Sequence, residues 1–207
     1  MKKFEYKQYQ DYIDIQMQHM GSKYRTQSKS YQRYLDALKK SFPVARKILC
    51  VGARDVSEVL AFRNAGYDAI GIDLYTDNAD IVRVLDMHQL SDTFKENEFD
   101  VIFSCHSLEH AYDPEAVLRS FRNIATSGCF LILPTSSMPD SKDPVVFDFM
   151  NTVQNDLNTA SRVAKTNLIR DEFAALMNNS CDMIFYSFES YPGGSGNANE
   201  HWIGLAW

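Results

Sequence analysis

A glycine followed at spaced intervals by acids and histidines is the arrangement in this sequence best suited to chemistry. Gly52 closes the run Lys47-Ile48-Leu49-Cys50-Val51, where the lack of a side chain lets a ligand approach the backbone. Asp73 stands 21 positions later, after Ala69-Ile70-Gly71-Ile72 and before Leu74. A carboxylate there accepts both hydroxyls of a bound ribose, although an aspartate at a strand end equally suits the cap of a turn. Asp86 and Met87 follow Val84-Leu85 and offer a carboxylate for an exocyclic amine and a thioether for a purine face, or simply a turn and a core residue. The run Phe99 to Cys105 then leads into His106, Glu109 and His110. An imidazole with a pKa of about 6.5 accepts a proton at neutral pH, so His106 is a candidate general base or a positioning group. The same residues spell H-x-x-E-H, which in one group of zinc proteases puts two histidines on one helix face. Here they leave an apolar strand and meet Pro114 four residues after His110, too soon for that helix, and no metal site is expected.

The elements that must carry these residues are legible from periodicity. Tyr9, Ile13, Met17 and Met20, then Tyr31, Tyr34, Leu35, Leu38 and Phe42, recur at helical spacing, with breaks at Gly21-Ser22 and Pro43. From Lys47 short apolar runs at 48–51, 69–72, 81–85, 99–105 and 129–133 alternate with helical stretches at about 55–65, 88–95 and 114–126. Asp55 and Glu58 are spaced as a capping box, Gly66 suits a helix C-terminus and Pro114 a first helical turn. Residues 136–166, interrupted by Pro139 and Pro144, show no period. Ile169, Phe173, Leu176 and Met177 mark another helix, Met183 to Phe188 a strand, Pro192 to Asn197 a turn and His201 to Trp207 a closing strand. Alternating strands and helices predict a doubly wound α/β sheet with ligands at the strand carboxyl ends. The terminal hairpin requires one of the last two strands to run against the rest. One domain is expected over 1–207, with N-terminal helices over 1–45 and the α/β core over 46–207.

The net charge of −6 argues against broad phosphate-tracking nucleic-acid binding. The local basic group Lys39, Lys40, Arg46 and Lys47 reads as a solvated helix end. With neither a secretory leader nor an apolar stretch of membrane-spanning length, a soluble cytoplasmic protein is expected. Cys50, Cys105, Cys129 and Cys181 lack C-x-x-C spacing and read as free thiols of a reducing compartment.

Taken in order, Lys47 to Pro134, about 90 of the 207 residues, resembles the core of class I S-adenosylmethionine-dependent methyltransferases. The likeness is to the broad small-molecule group with D-M-x-x-L and L-E-H elements, here starting at Asp86 and Leu108. The resemblance implies a Rossmann-like sheet of seven strands, mostly parallel with an antiparallel last strand. It further implies that Gly52, Ala53 and Arg54 face the methionine part of S-adenosylmethionine, Asp73 and Leu74 the ribose, Asp86 and Met87 the adenine, and Cys105 and His106 the sulfonium. His106 would be the catalytic residue and His110 would face a small-molecule acceptor, in a monomer or homodimer. The glycine loop departs from the family pattern, with Cys50, Arg54 and Val56 where an acid and two glycines are usual. Arg54 either pairs with the cofactor carboxylate or points into solvent. Tyr24 and Arg25 either close over the cofactor or start a helix. The degraded loop keeps open a non-catalytic binding or adaptor protein, and Asp73 a nicotinamide-dependent oxidoreductase.

Overall fold

The computed structural model describes residues 9–20, 31–53, 56–134, 162–193 and 196–207. Helices α1 (Tyr9–Met20) and α2 (Gln32–Ser41) precede β1 (Lys47–Val51). Then come α3 (Val56–Asn64), β2 (Asp68–Asp73), β3 (Val82–Val84), a 3₁₀ turn (Met87–Gln89) running into α4 (Leu90–Thr93), and β4 (Phe99–Cys105). A second 3₁₀ turn (Leu108–His110), α5 (Pro114–Ile124), β5 (Ala125–Pro134), α6 (Arg162–Leu176), β6 (Asp182–Gly193) and β7 (Gly196–Ala206) follow. The strands form one seven-stranded sheet in the order β3-β2-β1-β4-β5-β7-β6. Neighbours from β3 to β5 pair in parallel, and β7 pairs antiparallel with both β5 and β6. The expected Rossmann-like fold with a reversed last strand stands.

The central strands are continuous apolar runs because helices cover both faces of the sheet. Alternation along each strand sorts its side chains into two cores. Ile48, Cys50, Val101, Phe103, Phe130 and Ile132 point to the side holding Leu38 of α2 and Phe62 of α3. Leu49, Val51, Ile102, Cys129, Leu131 and Leu133 point to the side holding Leu90, Phe121 of α5 and Phe173 of α6. Local signals set the helix ends. Asp113 caps α5 by accepting from the Ala116 amide at 2.9 Å, with Pro114 in its first turn. Gly66, at φ +92°, supplies the left-handed residue that ends α3.

Several bounds differ from the sequence reading. The stretch at 88–95 divides into a 3₁₀ turn and one turn of helix, because Asp86 accepts from the His88 amide and tightens the chain there. Strand β5 begins at Ala125, since the polar stretch Thr126-Ser127 pairs beside β4 across an irregularity between Phe99 and Val101. The hairpin arms are longer than their apolar cores, and pairing continues to Gly193 opposite Gly196. Tyr24, Arg25, Arg54, Asp55 and nearly all of the aperiodic 136–166 segment lie outside the described residues.

Candidate functional site

Parallel pairing sends the carboxyl ends of β3, β2, β1 and β4 to one edge of the sheet. In that spatial order the edge carries Asp86, Asp73, Gly52 and the pair Cys105-His106. Residues far apart in sequence are thus set in a row where an open α/β sheet binds its ligands. Leu74 and Met87 are half-buried beside this edge, and Met87 packs against a core cluster; Ala53 is buried.

The turn at Gly52 is tight for an internal reason. Its φ of +74° is a left-handed value, and a Cβ there would stand 2.0 Å from the Ser107 hydroxyl oxygen. The amides of Gly52 and Ala53 both donate to the Ile72 carbonyl, at 2.9 and 3.0 Å. The first turn is therefore closed onto β2 and β4 by the chain itself, with Ser107 filling the space expected to admit a ligand. The Cys50 thiol, in the place of the family's acid, is pushed well up by burial, and the Glu58 carboxylate hydrogen-bonded to it adds to the rise. Glu58 is buried, so α3 brings a carboxylate to the spot where β1 lacks one.

Asp73 is 9% exposed and accepts from the Tyr75 amide at 3.3 Å, so it does cap the turn leaving β2. Asp86 is the more heavily engaged acid. It accepts from the His88 amide at 2.9 Å, from His88 Nδ1 at 2.6 Å, and from the Tyr9 hydroxyl of α1. Burial alone raises its carboxyl group, but the hydrogen bonds from the His88 ring and amide and from Tyr9 outweigh it and hold the group below the usual carboxylate range. The Asp113 amide donates to His88 Nε2 at 3.1 Å, which leaves the ring proton on Nδ1, directed at Asp86. Rings of Tyr9, Tyr12 and Tyr112 surround the imidazole with centroids 5.7, 5.2 and 6.3 Å away. His88 is the junction that ties α1, the turn after β3 and the start of α5 together.

His106 follows β4 in the left-handed region, φ +54°, unusual for a residue with a side chain. Its amide donates to the Ile132 carbonyl at 2.9 Å, and its Nε2 lies 2.6 Å from Glu200 Oε1. Glu200 is fully buried and also accepts from the Tyr34 hydroxyl, at 3.2 Å to Oε1 and 3.1 Å to Oε2, and from Trp202 Nε1 at 2.9 Å. Sequence reading missed Glu200, which stands one residue before the predicted closing strand, between it and the predicted turn. The available signal was an acid two positions ahead of Trp202, on the same side of a strand. His110 ends the second 3₁₀ turn, its Nε2 4.0 Å from Oε1 of the buried Glu109. The H-x-x-E-H residues therefore span a strand end and a single tight turn, and the two histidines share no helix face.

The sequence model of the methyltransferase domain matches residues 49–133. No curated protein matches the chain. Among solved structures, the N-terminal domain of EvdMO1 with S-adenosylhomocysteine bound superposes with a TM-score of 0.52 at 16% identity, over 86% of this chain and 82% of that one. The structure titled for the conversion of a disulfide bond into a thioacetal group during echinomycin biosynthesis gives 0.54 at 15%, over 84% and 79%. A methyltransferase from Methanosarcina mazei gives 0.53 at 13%, over 85% and 96%. Identities this low speak for the fold alone, while the matched segment contains Gly52, Asp73, Asp86 and His106. Residues 49–133 thus match the methyltransferase domain, and the chain that carries them has the fold of the S-adenosylmethionine-dependent methyltransferases.

Proposed function

We propose that this protein transfers a methyl group from S-adenosylmethionine to a small-molecule acceptor, using the strand edge that carries Asp86, Asp73, Gly52 and His106. The observation that carries the reading is that order: an acid after β3, an acid after β2, a glycine turn after β1 and a histidine after β4, inside the matched segment.

The donor set suits the cofactor at its nucleoside end. Asp73 offers a buried carboxylate for ribose hydroxyls, with Leu74 beside it, and Asp86 and Met87 offer a carboxylate and an apolar flank for adenine. At the methionine end the fit rests on less, because the Gly52 and Ala53 amides are already bonded to Ile72; Arg54 is our candidate for the carboxylate there. S-adenosylmethionine supplies an electrophilic methyl carbon, so the chain's task is to align an acceptor and exclude water. Cys105 and His106 border the reacting end, and His110 faces the acceptor. The acidic balance of the chain and the four unbonded cysteines support a cytoplasmic protein acting on small molecules, which we take to be one domain and a monomer or homodimer. Among the described residues no helix is long and apolar enough to cross a membrane.

Calorimetric titration with S-adenosylmethionine, S-adenosylhomocysteine and NAD tests the reading. Binding of the first two is expected. Binding of NAD alone would replace it with a nicotinamide-dependent activity, and binding of none with an adaptor role, which the self-closed turn at Gly52 favours as the second reading. Asp73→Ala is expected to weaken cofactor affinity by roughly 1.5 to 3 kcal/mol through lost hydrogen bonds; unchanged affinity would remove Asp73 from the site.

A further inference from the structure

We propose that Glu200 is the positioning residue that makes His106 a proton acceptor, by holding its ring with Nε2 toward the carboxylate and Nδ1 toward the site. This rests on the methyl-transfer reading above and adds to it a residue from outside the matched segment, 94 positions from its partner.

The first support is geometric. The left-handed backbone at His106 costs on the order of 1 kcal/mol or more for a residue with a side chain, and such strain persists only where surrounding bonds over-determine it. Two bonds do so: the amide to Ile132 and the ring to Glu200. The second support is electronic. Glu200 is completely buried, and three groups converge on its oxygens, the Tyr34 hydroxyl, the Trp202 indole N–H and the His106 ring. Tyr34 and Trp202 suit a carboxylate that accepts at these contacts among the described residues, so Nε2 carries the imidazole proton and the lone pair resides on Nδ1. The His106 side chain is 29% exposed against 0% for Glu200, so the ring's open side is the one turned from the carboxylate. The third support is topological. Strand β7 runs against β5, with Glu200 opposite Pro134, so the start of the last strand lies at the carboxyl end of the parallel strands.

The arrangement completes a balanced proton transfer. An acceptor O–H or N–H gives its proton to Nδ1, its electron pair forms the bond to the methyl carbon, and the carbon–sulfur bond breaks with its pair on sulfur. The positive charge passes from sulfonium to imidazolium, where the buried carboxylate stabilises it, and water later takes the proton. Other ionisable groups on the packed elements include Cys105 of β4, Glu109 and His110 of the following turn, Tyr34 and Arg33 of α2, Tyr186 and Glu189 of β6, and His201 of β7. Arg33 is paired with Glu189 and lies over the Trp202 ring, and Tyr186 is bonded to His201. Among the described residues Glu200 is the charged group bonded to the His106 ring.

The test is nitrogen NMR of the histidine rings in the full chain with saturating S-adenosylhomocysteine, the His106 signals assigned by their loss in His106→Asn. The expected wild-type result is protonated Nε2 and unprotonated Nδ1 in the neutral ring. In Glu200→Gln, which removes the charge and can itself donate to the ring, the preference for the neutral tautomer protonated at Nε2 is expected to fall about tenfold or more. A neutral ring protonated at Nδ1, or a tautomer ratio unmoved by Glu200→Gln, overturns the proposal. Should the variant fail to fold, the wild-type tautomer decides the matter alone. Failure to bind S-adenosylhomocysteine in calorimetry would instead remove the methyl-transfer reading, and the ring measurements then proceed on the free protein.

Discussion

Asp86 accepts from the His88 ring, the His88 amide and the Tyr9 hydroxyl, and its carboxyl group is held below the usual range although burial opposes this. A depressed folded-state pKa stabilises the fold at pH above the unfolded value of about 3.9, and that stability is lost as pH falls through the folded value. Urea unfolding between neutrality and pH 3 should therefore show the wild type losing more stability than Asp86→Asn on the acid side; parallel losses would refute the coupling. Tyr9→Phe removes one of the opposing bonds and should return the Asp86 carboxyl toward the ordinary range. Gly52 presents a steric problem of the same scale. Both its φ of +74° and the 2.0 Å approach of Ser107 to a built Cβ count against any side chain. Gly52→Ala should cost about 1 to 3 kcal/mol of stability. Adding Ser107→Gly should recover the clash but not the backbone strain, so a double-mutant cycle in denaturant will show strong coupling.

At the level of elements, α5 depends on one cap. Asp113→Ala should lower stability by about 1 kcal/mol through the lost bond to the Ala116 amide, measurable as a fall in Tm. The Asp113 backbone amide, which holds His88, survives that change, so the Asp86–His88 pair should persist. The strands, helices and sheet direction were legible in the sequence because a doubly covered sheet needs continuous apolar runs and helices need periodic ones. What escaped reading has a common physical cause. The outer lengths of β6 and β7 bond to each other rather than to a core, so no apolar pattern marks them. His88 acquires its role from Tyr9, Tyr112 and Asp113, and His106 from Glu200, all brought by other segments. The placement of Asp73 and Asp86 at one edge was legible because the first ends β2 and the second lies two residues beyond β3, and strand ends can be counted along a chain.

Across the whole molecule, the seam between β5 and β7 joins the matched segment to the terminal hairpin. Gly128, at φ +150°, lies so close to the Leu205 carbonyl that a Cβ would stand 1.9 Å from its oxygen. Gly128→Ala should push the two strands apart, lowering Tm and weakening the Glu200–His106 bond at the far end of the same ladder. Unchanged stability would show that the seam yields freely.

The reversed strand also orders events in time. Strand β6 precedes β7 in the chain but lies beyond it in the sheet, so β6 reaches the sheet only through β7, with which it pairs as a hairpin. A chain extended only as far as Gly193 holds every residue of the matched segment yet neither Glu200 nor an anchored edge. The contact between Glu200 and His106 is withheld until the last strand docks, a form of proofreading by topology. Pulse-labelled hydrogen exchange during refolding should find β6 amides protected no earlier than those of β7, and earlier protection would show that the edge assembles by another route.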